Sequence, residues 1–274
     1  LANENGIIVK PYDIEKDEKN LDKIKKIFKN KKIFNQNFKQ KSSKQNIFIC
    51  GMPRSGSTLL EQIISTHSKV GNMGETDYFR KTFEVFFDLD NENSFDKIHD
   101  YSKKNSNVIF EDYLKRTENL KLKENIFTDK SLLNFKYIGF IKIIFPNSKI
   151  IITSRNFKNN LLSIYKNNLP QVRWTYNIEQ IKQFNSIFLR YVDFWKDKFG
   201  DELINIEYED LVKNTEDISK KIIKFCDLEW EPSLLDYHKK NTAPIKTASV
   251  NQADKPVYKK SLDKFTKFEK FFNL

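Results

Sequence analysis

Apolar residues near the start of the chain recur at helical intervals, at Leu21, Ile24, Ile27 and Phe28, and the polar run Lys39-Gln-Lys-Ser-Ser-Lys-Gln45 comes after them. This pattern predicts a helix and then a linker, an N-terminal lead-in over residues 1–45. From Asn46 onward, short apolar runs alternate with longer amphipathic stretches. Ile47–Cys50, Asn125–Thr128, Lys149–Ser154 and Glu202–Glu207 read as strands. Three helical stripes lie among them. Leu133, Tyr137, Phe140, Ile141 and Ile144 form one, stopped by Pro146; Ile181, Phe184, Phe188, Tyr191 and Trp195 form another, ended by Gly200; Ile218, Ile222, Phe225 and Cys226 form the third. Strands alternating with helices predict an α/β domain over residues 46–274, a parallel sheet flanked by helices. Ligands of such sheets gather at the carboxyl ends of the strands, where the loops are.

The first expected strand runs into Ile47-Phe-Ile-Cys-Gly-Met-Pro-Arg-Ser-Gly-Ser-Thr-Leu-Leu-Glu61. Gly51 and Gly56 can adopt backbone angles closed to other residues, which lets amide groups converge on one point. Ser55, Ser57 and Thr58 add hydroxyls where a helix begins, and a helix N-terminus favours an anion. Arg54 supplies a fixed cation. The stretch is a P-loop-type phosphate cradle without the lysine that an ordinary nucleotide-hydrolysing loop carries before its Ser/Thr. No strand-end carboxylate for magnesium is evident either. A metal-free cradle suits a transferred group of lower charge than a phosphoryl, and sulfuryl fits that description. A P-loop nucleotide kinase or hydrolase is the alternative.

The segment Gly51-Met-Pro-Arg-Ser-Gly-Ser-Thr-Leu-Leu-Glu-Gln-Ile-Ile-Ser-Thr-His67 resembles the 5′-phosphosulfate loop of sulfotransferases that use 3′-phosphoadenosine 5′-phosphosulfate (PAPS). It is most similar to bacterial sulfotransferases linked to tetratricopeptide repeats and to tyrosylprotein sulfotransferases, and the likeness extends from Asn46 to about Lys264. The resemblance implies a sulfotransferase fold, PAPS as co-substrate, adenosine 3′,5′-bisphosphate as product and no metal. It implies that Arg54, Ser55, Gly56, Ser57 and Thr58 hold the 5′ end of the donor. Arg155, delivered by Lys149-Ile-Ile-Ile-Thr-Ser-Arg155, and Ser163 would grip the 3′-phosphate. Relatives often carry another basic group a turn after that serine, where this chain has Asn167.

Glu75, in Gly74-Glu75-Thr76, would be the general base for the acceptor hydroxyl, although a carboxylate at such a turn is more often a helix cap. An ordinary glutamate is a weak base, so partial burial is expected there. Other sulfotransferases use a histidine as the base, but none of His67, His99 and His238 sits where a motif would place one. Lys130, in Thr128-Asp129-Lys130, would reach the leaving phosphate with Arg54, with Ser249 completing the clamp; read without the resemblance, Lys130 is a solvated lysine. Tyr208 would lie near the adenine and Lys264 on a phosphate, within a covering loop over Ser249–Lys264.

Composition changes this picture little. The chain has 274 residues, of which 39% are hydrophobic, and a formal charge of +11. Its lysine is spread along the whole chain, so the charge argues for a mild preference for anions rather than for nucleic acid. A non-catalytic basic module would instead bind with affinity that collapses with salt. Cys50 and Cys226 sit in apolar patterns and read as reduced thiols of a cytoplasmic protein. No run approaches the roughly 20 apolar residues that a membrane span requires. The acceptor is left open between a protein, a peptide and a small hydroxyl compound, and upstream tetratricopeptide repeats would favour a protein.

Overall fold

The computed structural model describes residues 12–29, 44–88, 107–167, 169, 172–240, 265 and 268. Helix α1 (Ile14–Ile27) leads into β1 (Gln45–Gly51), α2 (Ser57–Ser65), β2 (Val70–Asn72) and α3 (Tyr78–Phe86). A fourth helix, α4, covers 107–117. Then come β3 (Ile126–Asp129), α5 (Ile138–Ile144), β4 (Lys149–Ser154), α6 (Phe157–Lys166), α7 (Ile178–Phe199), β5 (Leu203–Glu207), α8 (Tyr208–Lys213) and α9 (Thr215–Phe225). The strands form one sheet in the order β2-β3-β1-β4-β5, and every pairing is parallel.

Alternate side chains of β1 point to opposite faces. Phe48 and Cys50 join a core with Phe127, Ile150 and Ile152, while Ile47 and Ile49 join a second core with Ile151, Ile206 and Leu60. Both faces are therefore covered, as the apolar strand runs and intervening helices predict. The expected strands are found, Lys149–Ser154 with the same ends and the others with ends shifted by one or two residues. β2 was not expected, because its Val-Gly-Asn is too short for any period to register. The stripe from Leu133 to Ile144 divides into a 3-10 turn (Leu132–Tyr137) followed by α5. Within the 3-10 turn, the Phe135 carbonyl accepts from the Trp195 indole N–H at 2.7 Å. Pro146 stops α5 as expected, and Lys142 Nζ donates to the Pro146 carbonyl at 2.8 Å.

The lead-in helix packs into this body. Asp13 caps α1 by accepting from the Glu15 amide, and Leu21, Ile24 and Phe28 are fully or almost fully buried. Phe28 meets Phe140 and Trp195 edge-on, with ring centroids 4.9 and 5.3 Å away. All of this closes over Gly139, where a β-carbon would lie 2.6 Å from the Phe28 ring and 2.7 Å from Trp195. Tyr12, Asp17 and Lys136 form a polar chain at one side of the contact.

Phe28→Ala is expected to lower stability by about 3–5 kcal/mol, the usual cost of emptying a buried aromatic site. Urea unfolding should show a lower midpoint with an unchanged slope. A midpoint close to that of the parent would mean that α1 contributes little to the core.

Candidate active site

The turn after β1 lies against the end of β4 closely enough to exclude side chains. At Gly51 a β-carbon would sit 2.3 Å from the Thr153 carbonyl oxygen. Ser55 Oγ donates to the Met52 carbonyl at 2.7 Å and lies 2.6 Å from Thr153 Oγ1. Asn160 on α6 donates to the Pro53 carbonyl at 2.8 Å. Arg54 takes a left-handed backbone, with φ 65°, which turns the loop toward the start of α2. That helix begins at Gly56, with φ 93° and no side-chain cap. Gly56 has no side chain with which to cap the first amides of that helix, where the helix dipole favours an anion. A β-carbon at Gly56 would stand 2.4 Å from the Tyr208 ring.

Arg155 follows β4 and connects this loop to β5. Its guanidinium lies over the Tyr208 ring at 4.5 Å, and Nη1 donates to the Arg54 carbonyl at 3.1 Å. Arg54 Nε in turn donates to Ser163 Oγ at 3.3 Å. The carboxylate of Glu209 lies 3.9 Å from Arg155 Nε. Arg54, Gly56, Arg155, Ser163 and Tyr208 thus form a single cluster at the carboxyl ends of β1, β4 and β5. Asn167 is used locally, its amide donating to the Ser163 carbonyl at 2.6 Å.

A second cluster stands at the end of β3. The Lys130 amide donates to the Gly74 carbonyl at 3.2 Å, which brings the turn after β2 alongside. Lys130 is 1% exposed; its ammonium lies 3.1 Å from a Glu75 oxygen and 3.8 Å from a Glu61 oxygen. Glu61 is buried on α2 and accepts from Thr128 Oγ1 at 3.0 Å. Glu75 remains 38% exposed at its side chain, so the partial burial expected of it is modest and an ion pair dominates its surroundings. Asp129 points the other way and accepts from Tyr113 Oη at 2.7 Å, while Asn46 donates to that Oη at 2.9 Å. Burial raises the Asp129 carboxyl to about 7, with the Glu61 charge adding to the rise and the Tyr113 and Lys130 contacts opposing it. Burial raises Glu61 as well, chiefly against the charge of Lys130.

Of the residues expected at the site, Ser249 and Lys264 lie outside the described residues, as does His99. Ser57 and Thr58 open α2 and are buried. His67 is also buried, with Nε2 2.9 Å from the Glu229 carbonyl, away from both clusters. Sequence reading overlooked Glu61, Thr153, Asn160 and Glu209. Only Glu61 left a signal: it is a lone charge inside Leu59-Leu-Glu-Gln-Ile-Ile64, where the helix is otherwise apolar or neutral. Among the described residues, no group of three or more His, Cys, Asp or Glu could hold a metal ion.

The parallel sheet with its glycine-bounded anion loop defines a P-loop-type α/β protein. The model of the sulfotransferase family matches residues 46–232, and the chain belongs to that family. A protein of Aquifex aeolicus (strain VF5) described as uncharacterized is 28% identical over 239 residues, 84% of this chain but 31% of that protein. Protein-tyrosine sulfotransferase of Drosophila melanogaster is 23% identical over 231 residues, 80% of this chain and 46% of that enzyme. A putative protein-tyrosine sulfotransferase of Caenorhabditis briggsae is 23% identical over 71% of this chain and 69% of its own length. This chain therefore spans less than half of the Aquifex and Drosophila proteins. Two solved structures share the fold. The sulfotransferase domain of the Synechococcus PCC 7002 olefin synthase has TM-score 0.57 and 19% identity, covering 84% of this chain and 90% of that one. The sulfotransferase domain from the curacin biosynthetic pathway has TM-score 0.54 and 20% identity, covering 81% and 90%.

Asp129 supplies a pH signature. Between its ordinary value of 3.8 and about 7, the folded chain holds a proton that the unfolded chain has released. Its contribution to stability therefore falls as pH rises through that window and is level above it. Asp129→Asn removes the titration while keeping an oxygen for Tyr113. Thermal melts should show the variant gaining on the parent from about pH 4 to pH 7, then holding a constant lead. A pH-independent difference would show that the carboxyl is not held protonated by its surroundings.

Proposed function

We propose that the chain transfers a sulfuryl group from PAPS to an acceptor hydroxyl and releases adenosine 3′,5′-bisphosphate. The observation that carries this reading is the convergence of the glycine-capped start of α2, Arg54, Arg155 and Lys130 at the carboxyl ends of adjacent strands, in a chain of the sulfotransferase family. Two separate anion positions are what a doubly phosphorylated nucleoside calls for. The loop amides, Ser55, Ser57 and Thr58 would take the 5′ end; Ser55 would act through its amide, since its hydroxyl proton already serves the Met52 carbonyl. Arg155 and Ser163 would take the 3′-phosphate, with Glu209 giving up its contact. Tyr208, already stacked on Arg155, offers a ring face to the base.

In this reading Glu75 accepts the proton of the acceptor hydroxyl as its oxygen bonds to sulfur. Lys130 and Arg54 stabilise the electrons that the departing bridging oxygen retains, and Ser249 and Lys264 are assigned by resemblance to the same clamp. Holding donor and acceptor in line supplies much of the rate. We favour a protein tyrosine as the acceptor, on the likeness to the two animal enzymes, and upstream tetratricopeptide repeats would present such a substrate. The two cysteines are unpaired and buried, which suits a cytoplasmic setting. Among the described residues, no helix is long and apolar enough to cross a membrane.

Adenosine 3′,5′-bisphosphate should raise the melting temperature markedly, and ATP with magnesium should not. Arg155→Ala should abolish most of that shift. With radiolabelled PAPS and an acceptor panel of tyrosine peptides, sugars and small alcohols, Glu75→Ala should lose about 10²–10⁴-fold in turnover and Arg54→Ala about 10²–10³-fold. A magnesium-dependent shift with ATP alone would instead favour a kinase or hydrolase.

A further inference from the structure

Lys130 is a buried ammonium, and a buried charge must keep a counter-charge. Glu75 supplies one at 3.1 Å. Yet Glu75 is the more exposed partner, and an oxygen that accepts from the Lys130 ammonium is occupied when the acceptor's proton arrives. If Glu75 is the base, it has to leave Lys130 for the acceptor, and Lys130 then needs another partner at the end of β3.

Glu61 stands in that position. It lies one turn into α2, is 2% exposed, and has one oxygen 3.8 Å from the Lys130 ammonium. Its other oxygen accepts from Thr128 Oγ1 at 3.0 Å. Thr128 on β3 and Lys130 just past its end both reach Glu61, while Asp129 between them faces Tyr113. A single carboxyl therefore touches the strand end twice, from a helix fixed against it. The mutual influence is also electrostatic: the charge of Lys130 pulls the Glu61 carboxyl down and the charge of Glu75 pushes it up.

We propose that Glu61 is a positioning residue whose buried carboxylate keeps the Lys130 ammonium at the end of β3 when Glu75 turns to take the proton of the acceptor. The inference rests on the roles given above to Glu75 and Lys130. Its effect passes through Lys130, so it should disappear when Lys130 is absent.

The test is a double-mutant cycle on PAPS turnover, with the acceptor that the panel identifies, or with water as acceptor and sulfate release as the readout. Glu61→Gln should lower kcat by about tenfold or more with KM for PAPS little changed, and should cost less than about twofold in a Lys130→Ala background. Glu61→Asp, which keeps the charge, should recover part of the loss. Turnover of Glu61→Gln within about twofold of the parent, or an equal loss in both backgrounds, would overturn the proposal. Should Glu61→Gln fail to fold, Thr128→Val removes the hydroxyl that holds Glu61 and is expected to show the same dependence on Lys130 in milder form. Full turnover by Lys130→Ala or Glu75→Ala is a different failure, because it removes the assigned roles themselves.

Discussion

The site depends on a steric constraint at one point: the turn leaving β1 must touch the end of β4. Gly51 has room only for hydrogen against the Thr153 carbonyl, and Ser55 then locks onto Met52 and Thr153. That contact sets the direction of the chain through Arg54 and hence the start of α2. It also places the Arg54 carbonyl where Arg155 can bind it. Two cations that would repel each other in open solution are thereby held side by side, Arg155 by the Arg54 carbonyl, the Tyr208 ring and the Glu209 carboxylate, and Arg54 by Ser163. The parallel pairing of β1 with β3 on one side and β4 on the other carries this constraint outward. The ends of three neighbouring strands arrive at one rim.

Much of this was legible in the sequence, for identifiable reasons. Glycine, arginine and hydroxyl residues packed into eight positions have few physical uses other than holding an anion, so the loop stood out. Long apolar stripes revealed their helices because a 3.6-residue period persists over several turns, and the strands of the core revealed themselves by unbroken apolar runs. β2 escaped because three residues carry no period. The stripe beginning at Leu133 looked like one helix because its apolar spacing is helical, and that spacing does not distinguish a 3-10 turn, here bonded through Phe135 to a distant helix, from the α-helix that follows.

Three of the residues that sequence reading missed share a property. Thr153, Asn160 and Glu209 act through contacts spanning about 50 to over 100 positions along the chain, and no local pattern marks such partners. Glu61 differs. A charge on the inner side of an apolar helix is costly unless it is answered, and the answer, Lys130, could not be named until the strand order placed β3 beside α2. Resemblance located Lys130 and Glu75 separately along the chain; only the folded chain brings them to 3.1 Å of each other.

The family match opens at residue 46, yet Phe28 fills the space between Phe140, Trp195 and Gly139. A polypeptide begun at the match would leave an aromatic-lined hole beside the third strand's crossover, and neighbouring molecules would find greasy rings there in place of a helix. The edge of the family match and the edge of the packed core are therefore different lines, and the core takes in the helix Ile14–Ile27.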